Sequence, residues 1–152
     1  MLRLILVTAP VDEPDDDSVT RLRDALAITP LSEALALDAH EDAARAIAVP
    51  HALTPTIDAR LGDAASAIAV IEEVAARSEG TLLAVVDEVV ARAIVRHALA
   101  APVADTRFTV DPGTYAEIEV RLDAPWTVNR VNEGCHRDGE WSALRADGIV
   151  QT

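Results

Sequence analysis

The sequence predicts an α/β fold: a three-layer α/β/α domain whose sheet is mostly parallel and gains antiparallel strands toward the C-terminus. Three observations predict it. Two short runs, residues 2–7 and 82–86, are apolar almost throughout. A short run without a polar face suits a strand buried on both sides, in the middle of a parallel sheet. Between them, segments of helical period alternate with short extended ones, the pattern of repeated β-α units. After Pro102 the period drops to two. There Tyr115, Glu117, Glu119 and Arg121 alternate with Ala116, Ile118, Val120 and Leu122, the mark of a strand with one polar face.

Residues 2–7 form the first strand, and Thr8-Ala9-Pro10 lies at its carboxyl end. An acidic loop follows, Val11-Asp12-Glu13-Pro14-Asp15-Asp16-Asp17. It lacks the spacing and the glycine of an EF-hand, so it reads as a solvated loop. Its last carboxylates complement the positive end of the next helix, which Asp17 or Ser18 caps. Val19, Leu22 and Leu26 make that helix's inner stripe, and Pro30 ends it. Residues 33–37 are a second strand. Residues 40–49 are helical through Ala43, Ala44, Ile47 and Ala48, and Pro50 ends them. Residues 53–57 are extended and interrupted by Pro55, which suits an edge strand. Residues 63–77 are a helix with Ile68, Ile71 and Ala75 on one face, Asp63 as its cap and Gly80 just past its end.

Residues 82–86 then lead into a helix. Val89, Val90, Ala93, Ile94 and Ala98 share one of its faces, Arg92 and Arg96 share another, and Pro102 stops it soon after. Residues 107–110, 115–122 and 126–131 are strands joined by turns at Asp111-Pro112-Gly113 and Asp123-Ala124-Pro125. The tail from Arg137 onward is polar, with Trp141 and Leu144 as anchors. With no internal repeat and no linker, residues 1–152 are expected to be one domain.

Composition excludes several classes of function. The 152 residues hold 26 acidic and 13 basic side chains, a net charge of −13. Such a surface repels nucleic acid and anionic lipid, so neither is expected as a partner. No apolar run approaches the ~20 residues of a membrane span. The apolar N-terminus stops at Pro10, too soon for a signal peptide. The single Cys135 forms no internal disulfide, in keeping with a reducing compartment. The expected location is the cytoplasm.

The chemistry is expected where residues 82–86 end and the next helix starts, because ligands of open α/β sheets bind at the carboxyl ends of the strands. A phosphate there wants neutral or positive groups. This chain has Asp87 and Glu88 instead.

The motifs at these strand ends resemble those of the histidine phosphatase superfamily, the phosphoglycerate mutase-like fold. In that family the first strand runs into Arg-His-Gly, whose histidine is phosphorylated. Here Leu4-Ile5-Leu6-Val7 matches the strand, and Thr8-Ala9-Pro10 stands in the motif's place. A later family strand ends in a Ser-His-Gly-Gly-type motif before a Val-x-Arg-Ala helix. Here Val86-Asp87-Glu88-Val89 stands there, followed by the matching Val90-Ala91-Arg92-Ala93. A family arginine in a Ser-Pro-Leu-x-Arg motif falls near Ala39 when Leu37 is matched to the leucine. Near the end, Val131-Asn132-Glu133-Gly134-Cys135-His136 is similar to the family's Leu-Asn-x-x-x-His. The resemblance covers residues 1 to 136.

The resemblance implies the fold and at the same time a degenerate site. The family reaction needs a neutral imidazole to attack phosphorus, arginines and a second histidine to hold the phosphoryl oxygens, and an acid to protonate the leaving group. By the resemblance the nucleophile's place is Ala9, the arginine places are Thr8 and Ala39, and the second histidine's place is Asp87. The longer stretch that family enzymes carry after the position of Arg60-Leu61 is missing. Replacing a donor by a carboxylate reverses the sign of an interaction worth ~1 kcal/mol in water and ~4 kcal/mol at an effective dielectric of about 20, at about 4 Å. The expectation is a pseudophosphatase that binds or regulates, working with a protein partner or a second copy, without cofactor or metal.

Candidate ligand-binding residues are Asp12, Asp15, His40, Asp87 and Glu88. Two other classes of function stand beside this one. A carboxylate cluster of Asp12, Asp15, Asp87 and Glu88 would serve a metal-assisted hydrolase with Asp87 as nucleophile. Apolar surface on the late strands or the central helix would serve a self-associating structural protein. The remaining candidates read as ordinary residues. Thr8 has no identifiable base, His51 lies in a loop, and His97 sits on a helix beside Arg96. Cys135 with His136 has no metal-ligand spacing, and the acidic surroundings argue against a reactive thiol. If the carboxylates converge, their repulsion is relieved by raised pKa values, a cation or a basic partner. Pairing requires the fewest coincidences. Arg92, one turn beyond Glu88, is placed to pair with it, and a cleft closed by internal hydrogen bonds and salt bridges is the expected outcome.

Overall fold

The computed structural model of the chain describes residues 1–9, 17–100 and 110–133. Six strands form one sheet: β1 (Leu2–Thr8), β2 (Glu33–Ala36), β3 (Thr56–Ile57), β4 (Thr81–Val86), β5 (Tyr115–Val120) and β6 (Thr127–Glu133). Their order across the sheet is β3-β2-β4-β1-β5-β6. β1 and β4 are parallel neighbours in register from Arg3 opposite Thr81 to Thr8 opposite Val86. β2 and β3 continue the parallel half. β5 runs antiparallel to β1, and β6 antiparallel to β5. The mostly parallel sheet with antiparallel C-terminal strands is therefore as expected, with the two apolar runs at its centre.

Alternation along the central strands divides the core. Leu2, Leu4, Leu6, Leu82, Ala84 and Val86 face one side, where α3 (Ala64–Arg77) and α4 (Glu88–Leu99) cover them. Ile5, Val7, Leu83 and Val85 face the other, beneath α1 (Ser18–Leu26) and α2 (Glu41–Ala48). Each full burial of a Leu, Ile or Val side chain contributes about 1.5–3 kcal/mol, so the two-sided strands supply much of the core. Among the described residues no helix is long and apolar enough to cross a membrane.

Several elements differ in detail from the expectation. The extended piece expected over 53–57 is a strand only at Thr56–Ile57, at the sheet edge next to β2. Pro55 has no N–H to give a ladder. The helix expected from His40 starts at Glu41, preceded by a 3₁₀ turn over Asp38–His40, and Val49–His51 is a second 3₁₀ turn. β5 ends at Val120, leaving Leu122 58% exposed. Asp17 occupies the N-cap position of α1 but makes no side-chain cap bond. Its Oδ2 instead takes Arg21 Nε at 3.2 Å.

The helix faces also turn from the expected ones. In α4 the buried set is Val90, Ala91, Ile94, Val95 and Ala98, while Val89 is 72% exposed. In α3 it is Ala67, Val70, Ile71 and Val74, with Ile68 and Ala75 at the margin. Both helices are apolar around most of their circumference, so the sheet beneath selects the stripe. Of the strand expected over 107–110, residues 107–109 lie outside the described residues and Val110 is buried but not part of a strand. Pro102 as a helix stop and the anchors Trp141 and Leu144 also lie outside the described residues.

Two glycines fix strand ends. A Cβ at Gly80 would fall 2.2 Å from Ser32 Oγ, so any side chain there would displace Ser32, whose hydroxyl bonds Thr81 at the start of β4. Gly113 has φ +78° and donates its N–H to Thr8 O at 3.0 Å. Left-handed backbone is what glycine adopts without steric cost. That turn ties the start of β5 to the carboxyl end of β1.

Candidate functional site

The carboxyl ends of β1 and β4 and the turn after β2 converge, as the parallel register requires. Thr8 lies opposite Val86. Its N–H donates to Thr114 O at 3.0 Å, and Ala9 N–H donates to Val86 O at 2.8 Å. Thr8 is fully buried, and its Oγ1 has no hydrogen-bond partner among the described residues. Ala9, half-buried, presents a methyl group just past the end of β1.

Asp87 is the N-cap residue of α4, with extended backbone (φ −70°, ψ 159°), yet its side chain does not cap the helix. Asp87 Oδ1 lies 2.6 Å from His40 Nε2 instead. The neighbouring Val86 points into the α3–α4 side of the core. Asp87, one residue on, therefore faces the α2 side, where His40 closes the turn before α2. An ionised carboxylate only accepts, so Nε2 is the donor and Nδ1 remains for another interaction. Glu88 points differently: Arg92 Nη2 donates to its Oε1 at 3.0 Å, the i,i+4 pair expected from the sequence.

The candidate residues thus sort into three groups. His40 and Asp87 are brought together. Thr8, Ala9 and Glu88 lie at the same strand ends, Glu88 with its own arginine. Ala39 is exposed on the 3₁₀ turn beside His40. Pro10, Asp12 and Asp15 lie outside the described residues, as do Cys135 and His136. Among the described residues no group of three His, Cys, Asp or Glu side chains is placed to hold a metal. His97 packs edge-on against Trp126, with ring centroids 4.7 Å apart, an ordinary packing contact on α4.

The short connection before α3 is held by charge. Arg60 binds Asp58 (Nη2 to Oδ2, 2.9 Å) and Glu73 (Nη1 to Oε1, 2.9 Å). The Arg60 side-chain hydrogen bond holds the Asp58 carboxyl below its usual range. This fastening of residues 58–60 to α3 occupies the region where the resemblance leads one to expect a longer insertion.

Sequence reasoning missed one cluster. Glu117, read from the sequence as part of a polar strand face, is 8% exposed. Arg3 clasps its Oε1, and Arg130 Nε lies 3.6 Å from its Oε2. The signal depends on the antiparallel register that sets Glu117 opposite Ile5 and opposite Arg130, which no local pattern carries.

Comparison with solved structures places this architecture. YhfR of Bacillus stearothermophilus matches 90% of the chain and 99% of its own length, with a TM-score of 0.75 at 14% identity. The mycobacterial glucosyl-3-phosphoglycerate phosphatase bound to inorganic phosphate matches over 88% and 98%, with a TM-score of 0.73 at 12% identity. The alpha-ribazole phosphatase of Shigella flexneri matches over 86% and 96%, with a TM-score of 0.67 at 15% identity. No protein-family model matches the sequence, and no curated protein matches it significantly. The chain has the histidine phosphatase, phosphoglycerate mutase-like fold.

Proposed function

We propose that this chain is a non-catalytic, single-domain member of the histidine phosphatase fold that works in the cytoplasm by binding, as a pseudophosphatase, a protein partner or a second copy of itself. The observation that carries the reading is the His40–Asp87 pair at 2.6 Å. Among the described residues, the histidine at the cleft is committed to a carboxylate that stands where the resemblance asks for a phosphate-holding histidine. Ala9 offers no attacking atom, and Arg92, the arginine next to the site, is engaged by Glu88. In-line phosphoryl transfer depends on donors that offset developing negative charge. An unpaired carboxylate supplies the opposite sign, and a paired one supplies no donor. Such a cleft retains the shape of a binding site without the charge of a phosphatase.

Two measurements test this. Purified protein is expected to leave p-nitrophenyl phosphate unhydrolysed, and Ala9→His alone is expected to change nothing, since Thr8, Ala39 and Asp87 would still fail to hold the oxygens. Turnover that disappears in Asp87→Ala would end the reading. Thermal melting at constant ionic strength with magnesium, calcium or phosphate in the millimolar range is the second. Only a ligand of the native state raises the melting temperature, and none of the three is expected to. A cation-dependent rise lost in Asp87→Ala would favour the metal-assisted hydrolase, and a phosphate-dependent rise would mean that the cleft still recognises phosphoryl groups.

A further inference from the structure

A second concavity lies apart from that cleft. It is a cavity of about 600 Å³ between α1 and the antiparallel half of the sheet, and its β1 residues are Arg3 and Ile5, not Thr8. α1 packs Leu22 and Leu26 onto the α1–α2 side of the core beside Ile5 and Val7. Next to that packing the sheet presents Tyr115 and Glu117 of β5 and Arg130 of β6, and the open space sits above them. The volume falls within the range of small-molecule sites, roughly 300–1,000 Å³.

The wall has a built polarity. Glu117 is a buried carboxylate, a group that is costly to bury unless paired. Its effect is to hold Arg3 on one side and Arg130 on the other, both at the cavity wall. Arg130's two ion pairs, to Glu117 and Glu133, are both 3.6 Å long, beyond hydrogen-bond length, so its guanidinium fork is not saturated by them. Arg21 stands across the cavity on α1, with its Nε 3.2 Å from Asp17 Oδ2. The other lining carboxylate, Asp24, is engaged by Arg23 at 3.1 Å. Three guanidinium groups therefore border one space in a chain whose net charge is −13. Around them Tyr115 and Ile28 offer apolar surface, with Ile28 91% exposed at the rim and the buried Ile5 beneath the floor.

The geometry points to a binding site for a small organic anion: an apolar or aromatic body seated against Ile28 and Tyr115, with a carboxylate or phosphoryl group received by Arg130 and Arg21. Planar guanidinium groups bind such oxygens in bidentate fashion.

The probe is 1-anilinonaphthalene-8-sulfonate, an aromatic anion that fluoresces on binding, titrated into the native protein, with neutral N-phenyl-1-naphthylamine as comparator. The site predicts saturable one-to-one binding of the anion and weaker binding of the neutral dye. Arg21→Gln and Arg130→Gln alter side chains 46% and 57% exposed, so the fold is retained, which circular dichroism verifies. Each substitution is expected to weaken dye binding by about tenfold, as loss of a charge-assisted hydrogen bond does. Phenyl phosphate or benzoate should displace the dye, with the more effective of the two naming the preferred head group, while inorganic phosphate, lacking the apolar body, should not. Dye affinity unchanged in both arginine variants, equal affinity for the neutral dye, or displacement by inorganic phosphate would each overturn the assignment.

Discussion

Thr8 Oγ1 is fully buried and lacks a partner among the described residues. A buried hydroxyl without a hydrogen bond costs about 1–3 kcal/mol, and an apolar group of the same shape avoids that cost. Thr8→Val is therefore expected to leave stability unchanged or raise it by up to about 1 kcal/mol, read from urea denaturation midpoints at constant m-value. A clear loss would mean that the hydroxyl is held by a group in the cleft. Asp87 makes the complementary case. Its side chain is 57% exposed, and exposed ion pairs contribute about 0–1 kcal/mol. Asp87→Ser, which places a good N-cap on α4, is expected to be close to neutral in the same denaturation experiment, because the new capping bond offsets the missing hydrogen bond to His40. At this scale the sequence showed which residues stand at the strand ends, but not that His40 reaches Asp87. The two are 47 positions apart, and only the β2–β4 pairing brings them together.

Helices and strands were legible by type and less so by face. α4 carries apolar residues at 89, 90, 91, 93, 94, 95 and 98, and a stripe that wide fits more than one rotation. The sheet selects the one built on Ile94 and Ala91. Ile94→Ala is accordingly expected to cost about 2–4 kcal/mol, whereas Val89→Ser should stay within about 0.5 kcal/mol of the parent. Comparable losses at the two positions would return α4 to the rotation read from the sequence.

The N-terminus of α3 was legible, because an Asp-x-x-Ser start has a local mechanism. Asp63 Oδ2 accepts Ser66 N–H at 3.1 Å and Ser66 Oγ at 3.0 Å. The Ser66 backbone bond first, and its hydroxyl second, hold the Asp63 carboxyl below its ordinary value of 3.8. A carboxyl whose pKa is lower in the folded state contributes stability that is complete above its unfolded pKa and is lost as pH falls through the folded one. Asp63→Ala should thus lower the melting temperature at neutral pH, and the gap between variant and parent should narrow below pH 3.8. A gap independent of pH would mean that the cap acts through something other than its charge.

The whole molecule sets a different balance. The parallel core was readable from two apolar runs because burial on both faces removes polar alternation. The clasp on Glu117 was not, because the alternation of β5 looks the same whether its polar face meets solvent or arginines. Charge shows how the clasp fits the rest of the chain. Thirteen basic residues face 26 acidic ones. Arg3, Arg23, Arg45, Arg60, Arg77 and Arg92 each hold a carboxylate, so the excess is carboxylate without a cation to offset it. Salt acts on both populations. It weakens exposed pairs, each worth little to begin with, and it screens the repulsion among surplus carboxylates, which grows with net charge and extends over the whole surface. At 0.01 M ionic strength the Debye length is about 30 Å, comparable to a small domain, and at 0.1 M it is about 10 Å. Long-range repulsion therefore fades first, while pairs at contact distance persist. The melting temperature is expected to rise as sodium chloride increases over that range, with chloride and acetate equally effective because the effect is screening and not anion binding. A fall would show that the arginine–carboxylate pairs outweigh the repulsion and that the acidic surface is held together by its thirteen arginine charges.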